Sequence, residues 1–394
     1  MSSGSLAAGG TRWQRDAGIT DSPERHAEDI IGNSGDESHR PLIEALCHAG
    51  PEYVTWIADG LGYPMEVGED MPRKGMSVPR LHADPGRLGG GPLMKHLRDV
   101  LAARPNVAFL DEAPVTSLRT SGERVTGFTA EQQGRTLEVA ADTVVLATDG
   151  FANNRTLMAR HCADLGEPFY GGVSTSTGDS VGWLDALGAQ FSNMGACLRH
   201  GQVTLRGTRV NPALPWFGAV LVNTLGERFV DEQAHGYSGL AGVIQAQPGE
   251  RALMVWDDEA DSHAARSEMM RESAAAGALQ RAATAAELAG VLRVDAGALA
   301  RSLEPVHGRR ALRAPYHYTW LTHGVLTTQG GAEIDTLGRV LRADGSTIEG
   351  LRAGGGVAVG LAGLRSEGYS SGNGLLAAFG MGWIIGNDLA GADS

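Results

Sequence analysis

The sequence predicts an α/β fold built on a doubly wound, largely parallel sheet. Three observations point there. Residues 143–147, Thr-Val-Val-Leu-Ala, form a β-branched apolar strand that runs into the small-residue turn Thr148-Asp149-Gly150, the pattern found at the carboxyl edge of such a sheet. A second apolar run begins at Leu351 and ends in the glycine cluster Gly354, Gly355 and Gly356. Ser371-Gly372-Asn373-Gly374 then leads into residues 375–389, where Leu375, Leu376, Phe379, Trp383 and Leu389 mark one face of a helix.

The remaining elements follow in order. Asp21-Ser22-Pro23-Glu24 opens a helix with a capping side chain, Pro at the first turn and a carboxylate beside it. Residues 37–49 and 52–59 read as two amphipathic helices, with Leu42, Leu46, Val54 and Ile57 turned inward. Residues 71–92 are loop-rich and carry a basic group, Arg80, His82 and Arg87. A helix over 92–103 precedes strands at 107–110, 113–119, 125–130, 136–140 and 143–147. Helices follow at 153–161 and, capped by Ser174-Thr-Ser-Thr-Gly-Asp179, at 180–187. Strands at 219–223, 228–232 and 252–256 precede helices at 262–272 and 283–303, the latter broken near 292–295. An Asp344-Gly345 turn joins 333–341 to 350–353 as a hairpin.

Composition bounds the function. A chain of 394 residues suits two domains. A net charge of −13 without any basic stripe argues against nucleic acid as a partner. Cys47, Cys162 and Cys197 lie far apart with no CxxC. They read as reduced thiols of a cytoplasmic protein, with neither a metal site nor a disulfide framework. No apolar run reaches the length of a membrane span.

A helix that starts Gly-Asn-Gly has little bulk over its first N–H groups. They and the positive dipole end can meet an anionic or carbonyl-bearing ligand directly. The competing reading is a core helix that glycine lets pack closely.

This segment, with Thr328-Gln329-Gly330-Gly331 and Ile334-Asp335 upstream, resembles the C-terminal flavin-binding segment of the fumarate reductase/succinate dehydrogenase flavoprotein-like superfamily. That group includes 3-ketosteroid dehydrogenases and tricarballylate dehydrogenase-like proteins. The resemblance covers nearly the whole chain. It implies FAD as cofactor. It also implies an FAD-binding domain from 1–164 and 315–394, with an inserted α+β capping domain at 165–314. Relatives begin with a strand, a GxGxxG turn, a helix and a second strand. No GxGxxG occurs here, so a truncated doubly wound domain lacking its first βαβ unit is expected.

The resemblance also distributes site residues. Ser2, Ser3, Gly4 and Ser5 would lie against the flavin ring, and Val115 would hold adenine by its backbone. Ala147, Thr148 and Gly150 would form the phosphate-side turn, which relatives write Ala-Thr-Gly-Gly. Asp149 replaces a glycine there and would set a carboxylate beside the phosphates. Asp179 matches the family's Thr-Gly-Asp-Gly turn, with Ser180 in place of its last glycine. Gln329, Gly330, Gly372, Asn373, Gly374, Leu375 and Leu376 would line the flavin, and Gly355 stands where relatives often have a Glu that bonds the ribityl or ribose, so that contact would be lost.

For chemistry the family needs a cation for a substrate carboxylate, or a donor for a carbonyl, and one proton carrier. Fumarate reductases place an Arg after the Arg-Phe-Val-Asn-Glu strand. Here Arg228-Phe-Val-Asp-Glu232 leads to Gly236 at that place, with His235 and Tyr237 as the nearest proton carriers. Arg365 lies in the loop where carboxylate-reducing relatives bind substrate; the competing reading pairs it with Glu367. These readings lead to an oxidoreductase that exchanges a hydride between flavin N5 and a C–C bond next to a carbonyl or carboxylate of a small organic acid or ketone. Its electron partner is unspecified. The alternative is a truncated, non-catalytic flavoprotein-like scaffold that needs another chain to bind FAD.

Overall fold

The computed structural model describes residues 4–68, 73, 75–86, 89–265, 267–305 and 310–392. The chain divides into two compact units, the first comprising Met1–Ala163, Ser174–Cys197 and Thr327–Ser394, the second Asp164–Val173 and Leu198–Leu326.

In the first unit, strand Val144–Leu146 runs parallel to Thr347–Ala353, with Val144 opposite Leu351 and Leu146 opposite Ala353. Arg339–Leu341 adds an antiparallel third strand through the Asp344-Gly345 turn. Val115–Ser121, Arg124–Gln132 and Arg135–Ala140 form a separate antiparallel meander. A short sheet places Leu6–Ala7 beside Leu81–Ala83. Helix Pro23–Ser34 starts where Ser22 accepts the Arg25 N–H. Ile30, Ile43, Leu46, Val54, Leu146, Leu351, Leu376 and Met381 share one core.

The expected helices at 37–49 and 52–59 are largely one helix, Arg40–Thr55, with Pro51 inside it; a π-turn, Trp56–Gly60, follows. The buried stripe Leu46, Cys47, Gly50, Tyr53 and Val54 continues across the proline, so packing overrides the local break. No strand forms at 107–110. Phe109 and Leu110 are exposed, and the Arg98 guanidinium lies over the Phe109 ring at 4.8 Å.

The second unit centres on a sheet ordered Cys197–Thr204, Tyr316–Thr328, Arg251–Asp257, Val220–Val222. Side chains alternate across its faces with a period of two. Val220, Val222, Leu253 and Val255 pack with Leu288, Leu292 and Leu299. Leu221, Met254, Trp256 and Leu321 pack with Leu240, Ile244 and Met270. Each such fully buried chain contributes about 1.5–3 kcal/mol.

Residues 228–232 do not form a strand. Arg228 Nη2 donates to Glu232 Oε2 at 2.6 Å, and the Leu221 N–H donates to Glu232 Oε1 at 3.0 Å. The buried carboxylate thus takes the place that a ladder partner would hold. The expected helix at 262–272 is two, Asp258–Ala264 and Glu268–Ala275. The expected break in the next helix falls at Arg293, whose φ of 59° ends Ala285–Leu292 before Ala296–Ser302 begins. Strand Cys197–Thr204 and helix Gly236–Gln245 were not foreseen. Among the described residues, no helix is long and apolar enough to cross a membrane.

Candidate functional site

The two parallel strands of the first unit end in adjacent small-residue turns. Val144–Leu146 leads into Ala147-Thr148-Asp149-Gly150, and Thr347–Ala353 into Gly354-Gly355-Gly356. Asp149 has a φ of 59°, a left-handed conformation that Asp tolerates better than most residues. Ser176 Oγ donates to its Oδ2, and Thr327 Oγ1 donates to its Oδ1 at 3.4 Å. The carboxylate is therefore engaged by two protein hydroxyls. The Phe151 N–H donates to Thr328 Oγ1 at 3.1 Å. A Cβ at Gly150 would fall 1.9 Å from that hydroxyl, and one at Gly356 would fall 2.3 Å from Asp149 Oδ1. Glycine at both positions lets the turns close on each other.

Three helical segments, Asn373–Leu375, Leu376–Gly380 and Met381–Ala392, follow one another with helical φ and ψ at both joints. Gly372 caps the first at a φ of 88°. A Cβ on Gly372 would lie 2.8 Å from the Ala7 methyl, so the N-terminal strand and the C-terminal helix do meet here. Asn373 is buried; its Nδ2 reaches Leu361 O at 3.5 Å, while its Oδ1 has no hydrogen-bond partner among the described residues. The Gly374 N–H donates to Tyr369 Oη at 3.3 Å. Gly355 has a φ of 71°, and its nearest neighbour would be Ala378 Cβ at 3.6 Å. Gly355 and Gly374 are thus less tightly enclosed than Gly150 and Gly356, although a Cβ at Gly374 would fall 3.3 Å from Tyr369 Oη.

Gln329 is buried and donates its N–H to Ala196 O at 2.7 Å. Gly330 packs on the Asn193–Met194 backbone, where a Cβ would come within 2.3 Å of Asn193 O. A charged cluster anchors the segment that follows. His39 Nδ1 meets Asp36 Oδ2 at 2.7 Å, and its Nε2 meets Glu333 Oε1 at 3.0 Å. Asn193 Nδ2 donates to Asp36 Oδ2 at 3.1 Å. The Glu333 bond, then the Asp36 bond, push the imidazolium up to about 9 against the opposing effect of burial.

Other expected residues have different surroundings. Ser2 and Ser3 lie outside the described residues. Gly4 has a φ of 68° and packs against Gly89, where a Cβ would come within 2.8 Å of the carbonyl; Ser5 follows it, half-buried. Val115 starts the antiparallel meander and pairs with Ala130. Asp179 is exposed at the first turn of Asp179–Ala186 and accepts from Thr177 Oγ1 at 3.0 Å. Leu376 is fully buried in the core, while Leu375 is half-buried against it. Arg365 is exposed; its carbonyl accepts the Gly368 N–H at 3.1 Å, and among the described residues its guanidinium forms no ion pair with Glu367, the competing reading.

The basic group at 80–87 does not form a solvated or ligand-facing cluster. Arg80 is fully buried, held by Asp21 at 2.9 Å and Asp29 at 2.6 Å. His82 is fully buried against Thr11 Oγ1 at 2.8 Å. Arg87 lies outside the described residues.

In the second unit, Tyr237 opens helix Gly236–Gln245, and its ring stacks on His200 with centroids 4.9 Å apart. Burial, aided by the Arg209 charge, pulls the His200 imidazole down to about 3, so it is neutral near pH 7. Burial also lowers the Arg209 guanidinium, opposed by Glu272 and Tyr237. Gln202 is fully buried, and neither polar atom of its side-chain amide has a hydrogen-bond partner among the described residues. His235, half-buried, caps the helix without a side-chain hydrogen bond. Sequence reasoning named Tyr237 and missed His200, Gln202 and Arg209. They come together through strand Cys197–Thr204, whose Arg-His-Gly-Gln centre carries no strand signature.

The comparisons agree with this architecture. The chain is 28% identical over 92% of its length to the NADH:fumarate oxidoreductase of Klebsiella pneumoniae, of which it spans 40%. It superposes on the open conformation of a flavocytochrome c3 fumarate reductase with a TM-score of 0.81, at 24% identity, covering 99% of this chain and 71% of that one. The 3-ketosteroid-Δ4-(5α)-dehydrogenase of Rhodococcus jostii RHA1 gives 0.73 at 24% identity, covering 98% and 87%. Residues 1–375 match the model of one family, and the chain belongs to the FAD binding domain family.

Proposed function

We propose that this protein is an FAD-dependent oxidoreductase acting on a C–C bond next to a carbonyl or carboxylate. When bound, FAD would supply hydride exchange at its N5. The observation that carries the reading is the buried Asn373 Oδ1, an acceptor without a donor at a glycine-flanked helix start. A buried unpaired acceptor costs about 1–3 kcal/mol, and the isoalloxazine carries an N–H that would satisfy it. The ring end of the site therefore fits the cofactor. Gly355 and Gly374 would leave space for the ring, Gln329 would border it, and the helix start would stabilise negative charge on its pyrimidine side.

For the substrate, Arg365 is the candidate cation, since a guanidinium binds a carboxylate in bidentate fashion. Tyr237 is the candidate proton carrier, and Tyr369 is a candidate donor to a carbonyl. We assign residues 1–164 and 315–394 to FAD binding, and 165–314 to an α+β capping domain that carries substrate contacts. The three cysteines are thiols, which suits a reducing cytoplasm.

The test has two stages. The purified protein is incubated with FAD, desalted and denatured, and the supernatant spectrum is recorded. Absence of flavin bands overturns the proposal. The loaded protein is then reduced anaerobically and offered fumarate or 4-androstene-3,17-dione. Flavin reoxidation by either supports an enzyme and selects between acid and ketone.

A further inference from the structure

Cys162 and Cys197 are separated by 35 positions in sequence, yet their sulfurs lie 3.5 Å apart and both residues are buried. Cys162 caps the end of helix Arg155–His161, and Cys197 opens strand Cys197–Thr204. Each stands at a point where the chain passes between its two compact units, at Ala163/Asp164 and at Cys197/Leu198. We propose that this pair is a reversible thiol oxidation site whose oxidant is a small peroxide.

The chemistry balances as follows. Hydrogen peroxide oxidises one thiolate to a sulfenic acid and leaves as water. The second thiol attacks that sulfur, the S–S bond forms, and a second water carries away the oxygen. Two thiols have lost two electrons and two protons to one peroxide. A disulfide needs about 2.05 Å between sulfurs, so the pair must close by about 1.5 Å from its 3.5 Å separation. Burial of both residues excludes a protein thiol as the oxidant. Cys47 belongs to a separate helix, Arg40–Thr55, and among the described residues the only sulfur–sulfur contact is that of Cys162 with Cys197, so Cys47 serves as an internal control.

The bond would have a local consequence. Cys162 Sγ–H now donates to Met194 O at 3.6 Å, and oxidation removes that donor. Met194 sits in the turn against which Gly330 packs, and Ala196 O in the same turn holds the Gln329 N–H. The state of the thiols would therefore be passed to Gln329. This consequence rests on Gln329 bordering the flavin; the oxidation site itself does not.

The experiment uses the full chain, fully reduced, then exposed to hydrogen peroxide, denatured and alkylated with N-ethylmaleimide. The expected result is a mass loss of two hydrogens, alkylation of Cys47 but not Cys162 or Cys197, and an internal 162–197 link in the single tryptic peptide 161–199, which chymotrypsin then opens to a joined pair. Dithiothreitol should restore three alkylatable thiols. Three reactive thiols after peroxide, a link through Cys47, or irreversible oxidation of one sulfur would each overturn the proposal. In C197S, dimedone should trap Cys162 as a sulfenic acid with no loss of two hydrogens; such a loss would also overturn it. Should C197S fail to fold, the native-chain measurement decides.

Discussion

His39 offers a quantitative test, because two carboxylates grip one imidazolium. Replacing His39 by Gln keeps a polar group between Asp36 and Glu333 but removes the titration. In the folded chain the imidazole titrates near 9, against an ordinary 6.5. That rise corresponds to about 3 kcal/mol of folding free energy. The folded state holds the proton more tightly than the unfolded one. The stabilisation is therefore fully present below about pH 6.5 and disappears as pH rises through about 9. Urea unfolding at intervals from pH 6 to 9.5, read by far-UV circular dichroism, measures it. The native chain should lose about 3 kcal/mol across that window relative to His39→Gln. The comparison with the variant cancels other groups that titrate there. Parallel curves for the two proteins would refute the reasoning, since they would mean that the Asp36 and Glu333 contacts do not favour the charged ring.

Four further outcomes are expected. Arg80→Ala leaves Asp21 and Asp29 without their buried partner and should cost about 3–5 kcal/mol in urea titration. Gly372→Ala places a methyl against Ala7 at a φ of 88° and should lower stability by about 2–4 kcal/mol, through strain and crowding together. His26 and His200 are buried, with folded values pulled down to about 3 by burial. Unfolding lets both bind protons, so stability should fall as pH drops below about 6.5, by up to about 2.7 kcal/mol per pH unit, and H200Q should halve that slope. Arg365→Gln loses no contact within the described residues and should leave the melting midpoint unchanged. It should lower kcat/KM by about 10–100-fold for a carboxylate substrate and leave a neutral ketone unaffected.

The sequence was most legible where a local signal coincides with a buried one. The strand at Val144–Leu146 and its small-residue turn could be read because a parallel strand is apolar on both faces. The helix start at Ser22 could be read because a cap needs one residue type at one position. Residues 107–110 misled because four apolar residues imply a strand only when another strand lies beside them. Residues 228–232 misled because Glu232 folds back to satisfy the Leu221 N–H, a contact with no periodicity. At the site, Gly-Asn-Gly announced an open helix start, but which glycines face room and which face backbone depends on distant partners. Gly150 is matched to Thr328 and Gly372 to Ala7, pairings that no window of sequence contains. His200 and Arg209 were invisible for the same reason.

The central sheet of the second unit carries separate apolar layers on its two sides, one with Leu288, Leu292 and Leu299, the other with Leu240, Ile244 and Met270. Such an arrangement gives protein engineers, and natural drift, a way to rework one skin while the opposite skin keeps the strands in register. Substitutions in the two skins should accumulate as independent sets.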